Sequence, residues 1–378
     1  MTVTDLRPTT EQELCDALAS LAHERKPIAT GGCFSKQRMN ASPGAPAATV
    51  STAGLRRVLQ YEPRDLTISV EAGLPFAEMS ALLAANRQMV PLDPPCFANA
   101  TVGGAIATNS AGPRRRLYGT ARDMVIGMSF AKLDGKLAKS GGMVVKNVAG
   151  FDMAKLLIGS FGTLAAISVV NFKLTPMPAE TRTFVQQFHS GRACFDARNA
   201  ILRSVLQPAA LDVLNPAASR RAGLEDGFAL LLQAGGSHQV MERYARELPG
   251  ANALDGEHET RLWATIREFA PTFAAGHPEA HVARVSTTLM DCAAVAASTD
   301  APVVCRAGNG VSYVHFEGRA AALAWLAGSG HASWRYVFEY GTPAHGPADG
   351  PDFEVMKTLK NLFDPEGILN PGRLYGRI

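Results

Sequence analysis

A chain of 378 residues with a formal net charge of +3 is longer than one hydrophobic core usually serves, so two domains are expected. Hydrophobic residues make up 47% and charged residues 19%, a globular balance without low-complexity tracts. The few basic clusters lack interleaved aromatics, so neither disorder nor nucleic-acid binding is implied.

Six cysteines (Cys15, Cys33, Cys96, Cys194, Cys292, Cys305) form no C-x-x-C pair, which disfavours an iron-sulfur cluster or structural zinc and predicts reduced thiols. The segment from Met1 to Arg7 lacks a basic and apolar leader pattern, and no run of about 18 apolar residues follows. A cytoplasmic protein is expected, peripheral on a membrane at most through a partner.

In chain order, Leu14, Ala17, Leu18 and Leu21 predict a helix from Thr10 to His23, with Thr9 or Thr10 as N-cap. A short strand from Pro27 leads into Gly31-Gly32-Cys33-Phe34-Ser35, a turn that permits close backbone approach. Leu66 to Val70 reads as a strand and Pro75 to Ala85 as a helix with proline in its first turn. From Thr101 to Gly112 runs a loop of small residues, able to line an anion or ring with backbone amides. Val125 to Phe130 and Leu133 to Lys139 read as a hairpin around Asp134-Gly135. Val169 to Leu174 is a closing strand, Pro176 and Pro178 mark a boundary, and Phe353 to Leu362 forms a short terminal helix.

Neither G-x-G-x-x-G after a strand nor G-x-x-x-x-G-K-[ST] occurs, so Rossmann and P-loop readings fall. Two separated small-residue loops remain, Thr30 to Ser35 and Thr101 to Gly112. Either one taken singly is more often a plain turn.

Their combination resembles a known family. The first loop, the run T-V-G-G-x-x-x-T-N-S-A-G, the segment Lys146 to Asp152, the run Gly159 to Leu164 and the tail F-D-P-E-G-I-L-N-P-G-R-L together resemble the vanillyl-alcohol oxidase / p-cresol methylhydroxylase (PCMH) type of FAD-binding protein. G-P-R-R at Gly112 to Arg115 and V-K-N-V-A-G-F-D look like the smaller FAD-binding subunit of bacterial glycolate oxidase. The resemblance implies an α+β fold: a PCMH-type FAD-binding domain of two α+β subdomains at 1–179, a smaller α+β cap at 180–345, and a C-terminal segment, 346–378, returning to the FAD domain.

It further implies that Thr30, Gly31, Gly32, Cys33, Phe34 and Ser35 form the pyrophosphate loop. Pro94, Thr101, Gly103, Gly104, Thr108, Ser110 and Gly112 would run along the ribityl chain and ring, with Ile167 beside the flavin and Asn370 and Arg373 closing the site. Cys33 departs from the family's third glycine, and Ala165 from the second glycine of G-T-L-G. Phe34 stands where many relatives carry a flavin-linking histidine, and Cys96 lies five residues ahead of Thr101, so non-covalent FAD is expected. Related D-2-hydroxyacid dehydrogenases carry a G-H-x-G-D-G-N-x-H metal motif. This chain has Cys305-Arg306-Ala307-Gly308-Asn309-Gly310, with Arg306 for the first histidine and Asn309 for the aspartate, so no metal is expected there. His277 and His281, spaced i, i+4, lack a third ligand.

Arg114, Arg115 and Arg116 read equally as a solvated turn or as a contact to FAD or a partner, and no catalytic residue is assigned. The resemblance implies an FAD subunit of a glycolate-oxidase-like complex that oxidises glycolate or a similar 2-hydroxy acid. Its partners would be a larger FAD-binding subunit and an iron-sulfur subunit that receives electrons. Two alternatives stay open: a self-sufficient FAD oxidoreductase with another substrate, and a flavin-loaded relay subunit without a substrate site.

Overall fold

A computed structural model describes residues 3–40, 44–144, 152–328, 334–341 and 350–378. Its first helix, Glu11–His23, starts where the sequence offers a cap: the Thr10 hydroxyl accepts from the Glu13 amide at 3.1 Å. The Glu13 carboxylate reaches back to the amide and hydroxyl of Thr9 at 2.8 and 2.9 Å. Leu14, Leu18 and Leu21 then pack on Ile28 and Val50, and on Ile368 and Leu369 from the far end of the chain.

Two units divide the molecule. One comprises Met1–Ala111, Thr120–Met177 and Thr342–Ile378. It holds a parallel three-stranded sheet, with Ala48–Ser51 between Thr4–Leu6 and Ile28–Gly31. It also holds an antiparallel sheet in the order Val58–Glu62, Thr67–Glu71, Ala166–Lys173, Val125–Ala131, Leu137–Gly141. The Asp134-Gly135 turn, with Gly135 at φ +75°, matches the sequence reading, whereas Pro75 is the N-cap of Phe76–Ala84 rather than a residue of its first turn. The second hairpin strand begins at Leu137 rather than Leu133, because residues 132–136 make the turn: the Lys132 amide donates to the Lys136 carbonyl at 3.0 Å.

A second correction concerns Thr101 to Gly112. Val102–Ala107 is a helix, not a loop, with the Thr101 hydroxyl accepting from the Gly104 amide at 3.2 Å. The amides of Val102 and Gly103 donate to the carbonyls of Leu74 and Ala72, so this stretch spends its backbone donors on the fold.

The other unit comprises Gly112–Gly119 and Pro178–Gly341, whereas the sequence reading kept Gly112 to Gly119 in the first domain. Arg116 explains the difference. Its guanidinium donates to the Pro208 carbonyl at 3.0 Å, and its stem lies where any Cβ on Gly308 would collide. The body of the unit is an eight-stranded antiparallel sheet in the order Asn252–Leu254, Glu180–Phe188, Phe228–Gly236, Ala210–Leu214, Val303–Arg306, Val311–Phe316, His281–Ser286, Arg335–Tyr340. Phe195, Met241, Val295 and Trp325 from four helices cover one face, and Leu262, Ile266 and Phe269 cover part of the other.

His315 lies on that second face, its ring edge-on to Phe269 and Phe273, with Nδ1–H donating to the Pro302 carbonyl at 3.0 Å. Burial lowers its pKa from 6.5 to about 4. Between those values the unfolded chain binds a proton that the folded unit does not, so stability falls as pH drops from 6.5 towards 4. The loss by pH 4 is about 3 kcal/mol, at 1.36 kcal/mol per pKa unit. His315→Leu is expected to flatten this acid limb by that amount, read from urea midpoints of the second unit at pH 7 and pH 4.

Candidate FAD site

The strand Ile28–Gly31 delivers the first glycine turn to the mouth of an open cleft. Two hydroxyls at the end of the neighbouring strand fix the turn's carbonyls. Ser51 Oγ donates to Gly32 O at 2.9 Å and Thr52 Oγ1 to Gly31 O at 3.3 Å. Phe34 adopts φ +53°, and its ring lies over Gly31, where a Cβ would sit 2.8 Å from it. With the carbonyls held, the amides of Gly32, Cys33, Phe34 and Ser35 have no hydrogen-bond partner among the described residues. Successive free N–H groups around a left-handed residue form an anion nest, the chemistry a diphosphate needs.

The C-terminal segment braces this turn. Asn370 Oδ1 accepts from the Thr30 amide at 2.8 Å, while Nδ2 donates to Thr30 Oγ1 at 3.1 Å and to Phe161 O at 2.8 Å. Gly162 faces the same amide, and a Cβ there would lie 2.6 Å from Asn370 Nδ2. Arg373 donates to the carbonyls of Gln37 and Met39 at 2.7 and 2.6 Å and to that of Lys36, so its guanidinium holds the loop backbone. Behind them Lys360 Nζ donates to Thr163 O, Leu369 O and Asp364 Oδ2 at 2.9, 2.7 and 2.5 Å. Burial lowers the Lys360 pKa, and the Asp364 carboxylate opposes that shift. Asp364 also accepts from the amides of Ile368 and Leu369 at 3.1 and 2.8 Å.

Of the residues singled out in the sequence, Thr30, Gly31, Gly32, Cys33, Phe34, Ser35, Thr101, Gly103, Gly104, Thr108, Ile167, Asn370 and Arg373 line this one cleft. Three do not. Pro94 is buried away from it, Ser110 is a buried partner of Thr108 Oγ1 at 2.7 Å, and Gly112 belongs to the other unit. Gly103 also plays a different part from the one expected: a Cβ there would meet the Ala72 Cβ at 2.7 Å, so its size serves packing. At Gly104 a Cβ meets only Thr101 Oγ1, at 3.0 Å. Lys36, Gln37, Thr52 and Ala107 also line the cleft and were missed, because none carries a fingerprint and each arrives by backbone continuity.

Cys96 lies outside the lining and donates its thiol to Ser35 O at 3.4 Å. Lys146 and its neighbours to Phe151 lie outside the described residues. Asp152 caps Met153–Leu157 and pairs with Lys155 at 3.2 Å. His277 stacks on Phe273 at 4.7 Å, whereas His281 sits edge-on to Phe338 at 5.4 Å. Among the described residues no three metal-ligating side chains converge, and no helix is long and apolar enough to cross a membrane.

Comparison with known proteins agrees with this geometry. Residues 5–141 match the FAD binding domain family, and residues 347–374 match the C-terminal domain of FAD linked oxidases, the two stretches that meet at the cleft. Over both stretches the chain is similar to FAD-linked oxidases with a PCMH-type fold. FAD is its cofactor, and it is an FAD-dependent oxidoreductase. It is similar to glycolate oxidase subunit GlcE of Escherichia coli K12, 28% identical and spanning 97% of this chain and 98% of that one. It is also similar to glycolate oxidase subunit GlcD of Bacillus subtilis 168, 25% identical over 98% of this chain and 88% of that one. The PCMH-type fold recurs in an alkyldihydroxyacetonephosphate synthase (TM-score 0.74, 15% identity, 97% of this chain and 75% of that one). It recurs as well in 4-ethylphenol oxidase from Gulosibacter chungangensis (TM-score 0.73, 14% identity, 99% of this chain and 89% of that one).

Proposed function

We propose that this chain is the FAD-carrying subunit of a glycolate-oxidase-like complex that oxidises glycolate or a similar small 2-hydroxy acid to the 2-oxo acid. Electrons would pass to a separate iron-sulfur subunit, beside a larger FAD-binding subunit. The observation that carries this reading is the end-to-end match to a glycolate oxidase subunit in a chain that also builds an FAD cleft. D-lactate dehydrogenases among the relatives support the broader class, FAD-dependent oxidation of 2-hydroxy acids.

The chain's own residues do the positioning. Gly32 to Ser35 would receive the diphosphate on their amides, the helix from Val102 and the strand through Ile167 would flank the extended cofactor, and Asn370 would hold the turn in shape. FAD when bound supplies the two-electron chemistry, and the protein supplies place and field. Cysteine spacing leaves onward electron transfer to a partner.

The test is anaerobic titration with glycolate and D-lactate while flavin absorbance is followed, on the lone chain and on the chain reconstituted with its co-purifying partners. Slow or absent bleaching alone and rapid bleaching in the complex are expected. Rapid, complete bleaching of the lone chain would replace the subunit reading with a self-sufficient oxidoreductase. No bleaching in either would leave the relay reading.

A further inference from the structure

The run from Gly159 to Ala165 is a wall with two sides. Phe161 and Gly162 line the FAD cleft, whereas Ser160 and Leu164 line a second, open groove that lies wholly within the first unit. The far bank of that groove is the helix Pro351–Phe363, which supplies Met356 and Leu359. One face of this helix is spent on the fold: Phe353 packs with Leu374 and Ile378, and Lys360 bonds the carbonyls of Thr163 and Leu369 at 2.9 and 2.7 Å.

The opposite face is apolar and open. Val355 is 58% exposed and Leu362 is 74% exposed, and with Leu359 they stand at i, i+4 and i+7, a stripe along one side of the helix. A single exposed leucine means little, but a stripe that prolongs a groove is the pattern of a binding surface. Charge then says what fits. Asp152 and Lys155 pair at 3.2 Å and Glu354 and Lys357 at 2.8 Å, so those charges cancel. Arg122 on the rim donates to the Lys155 carbonyl at 3.0 Å and meets no carboxylate among the described residues. The surface is therefore complementary to an apolar segment that carries a carboxylate. A small acid would fill the groove alone, whereas Val355 and Leu362 lie beyond its lining, so the occupant is as long as a helix of about two turns.

We propose that the groove and the stripe dock an amphipathic helix of a partner subunit, its apolar face on Val355, Leu359 and Leu362 and its carboxylate on Arg122. The partner's place in an oxidising complex rests on the function proposed above. A subunit seated here is separated from the FAD cleft by one run of chain, which suits a subunit that takes electrons from the cofactor.

The experiment is isothermal titration of the FAD-loaded full chain with its purified co-purifying subunits, repeated for Val355→Asp, Leu362→Gln and Arg122→Glu. Each variant is expected to weaken partner binding by at least about tenfold, or about 1.4 kcal/mol, and Arg122→Lys to recover most of the loss at that position. Flavin content and melting temperature of the lone variants are expected to match the parent, since all three side chains are exposed. Partner binding unchanged in all three variants would overturn the docking surface and leave the complex standing. A lone chain that dimerises and turns monomeric in Leu362→Gln would replace the partner helix with a second copy of this chain. No binding of any such subunit to the parent chain would remove the docking surface and the complex together. Docking that depends on these residues, without flavin bleaching by glycolate or D-lactate, would uphold the surface and sink the oxidation reading.

Discussion

Asp364→Leu is expected to release most of the FAD and to lower the melting temperature of the first unit by about 10 °C. The Asp364 carboxylate neutralises a Lys360 ammonium that is only 7% exposed, and it also takes the amides of Ile368 and Leu369. Removing one partner of a buried pair costs about 3–5 kcal/mol, and each kcal/mol moves a domain of this size by about 2–4 °C. Lys360→Met is expected to be milder, because the carboxylate left behind keeps two amide donors. Leucine at 364 instead strands both amides and leaves the ammonium with two carbonyl acceptors but no counter-charge. Flavin fluorescence during a thermal ramp reads both effects, and equal losses in the two variants would contradict this ordering.

Gly104→Val should abolish FAD binding while both units stay folded, and Gly103→Ala should do the opposite. A Cβ at 104 meets only the Thr101 hydroxyl, so the methyls of valine enter the cleft rather than the protein. At 103 even one methyl meets Ala72 at 2.7 Å, and backbone lies just behind it. Overpacking of that kind costs about 1–3 kcal/mol. Flavin content per chain and the unfolding midpoint separate the two. A Gly104→Val protein with full flavin would show that the helix from Val102 does not flank the cofactor.

Much of the first unit could be read from sequence because its signals are local. Thr10 caps a helix, Pro75 begins another, and Asp134-Gly135 turns a hairpin, each within a few residues of the pattern that announces it. The run from Thr101 misled for a physical reason. Its small residues looked like a loop exposing amides, but a threonine cap and close packing on Ala72 make it a helix with those amides already engaged.

Most long-range partners were invisible. Nothing near Gly31 announces that Ser51 and Thr52 hold its turn, and only the family resemblance pointed to Asn370, which braces it from 340 residues away. Arg116 carries no sign that it fixes its segment to the second unit, since the contact runs through a carbonyl and a glycine.

The claim that the first glycine turn is the diphosphate cradle is tested most directly by hydrogen exchange on the same protein before and after FAD is restored. Acid precipitation should first leave a colourless polypeptide with all flavin in the supernatant as FAD, since Phe34 occupies the position of a linking histidine and Cys96 lies outside the cleft lining. Reloading the refolded apoprotein should then slow exchange at the amides of Gly32, Cys33, Phe34 and Ser35, which have no partner among the described residues, and leave Val102 and Gly103, already bonded, nearly unchanged. Protection at Val102 and Gly103 with none from Gly32 to Ser35, or flavin that stays with the precipitate, would contradict the account.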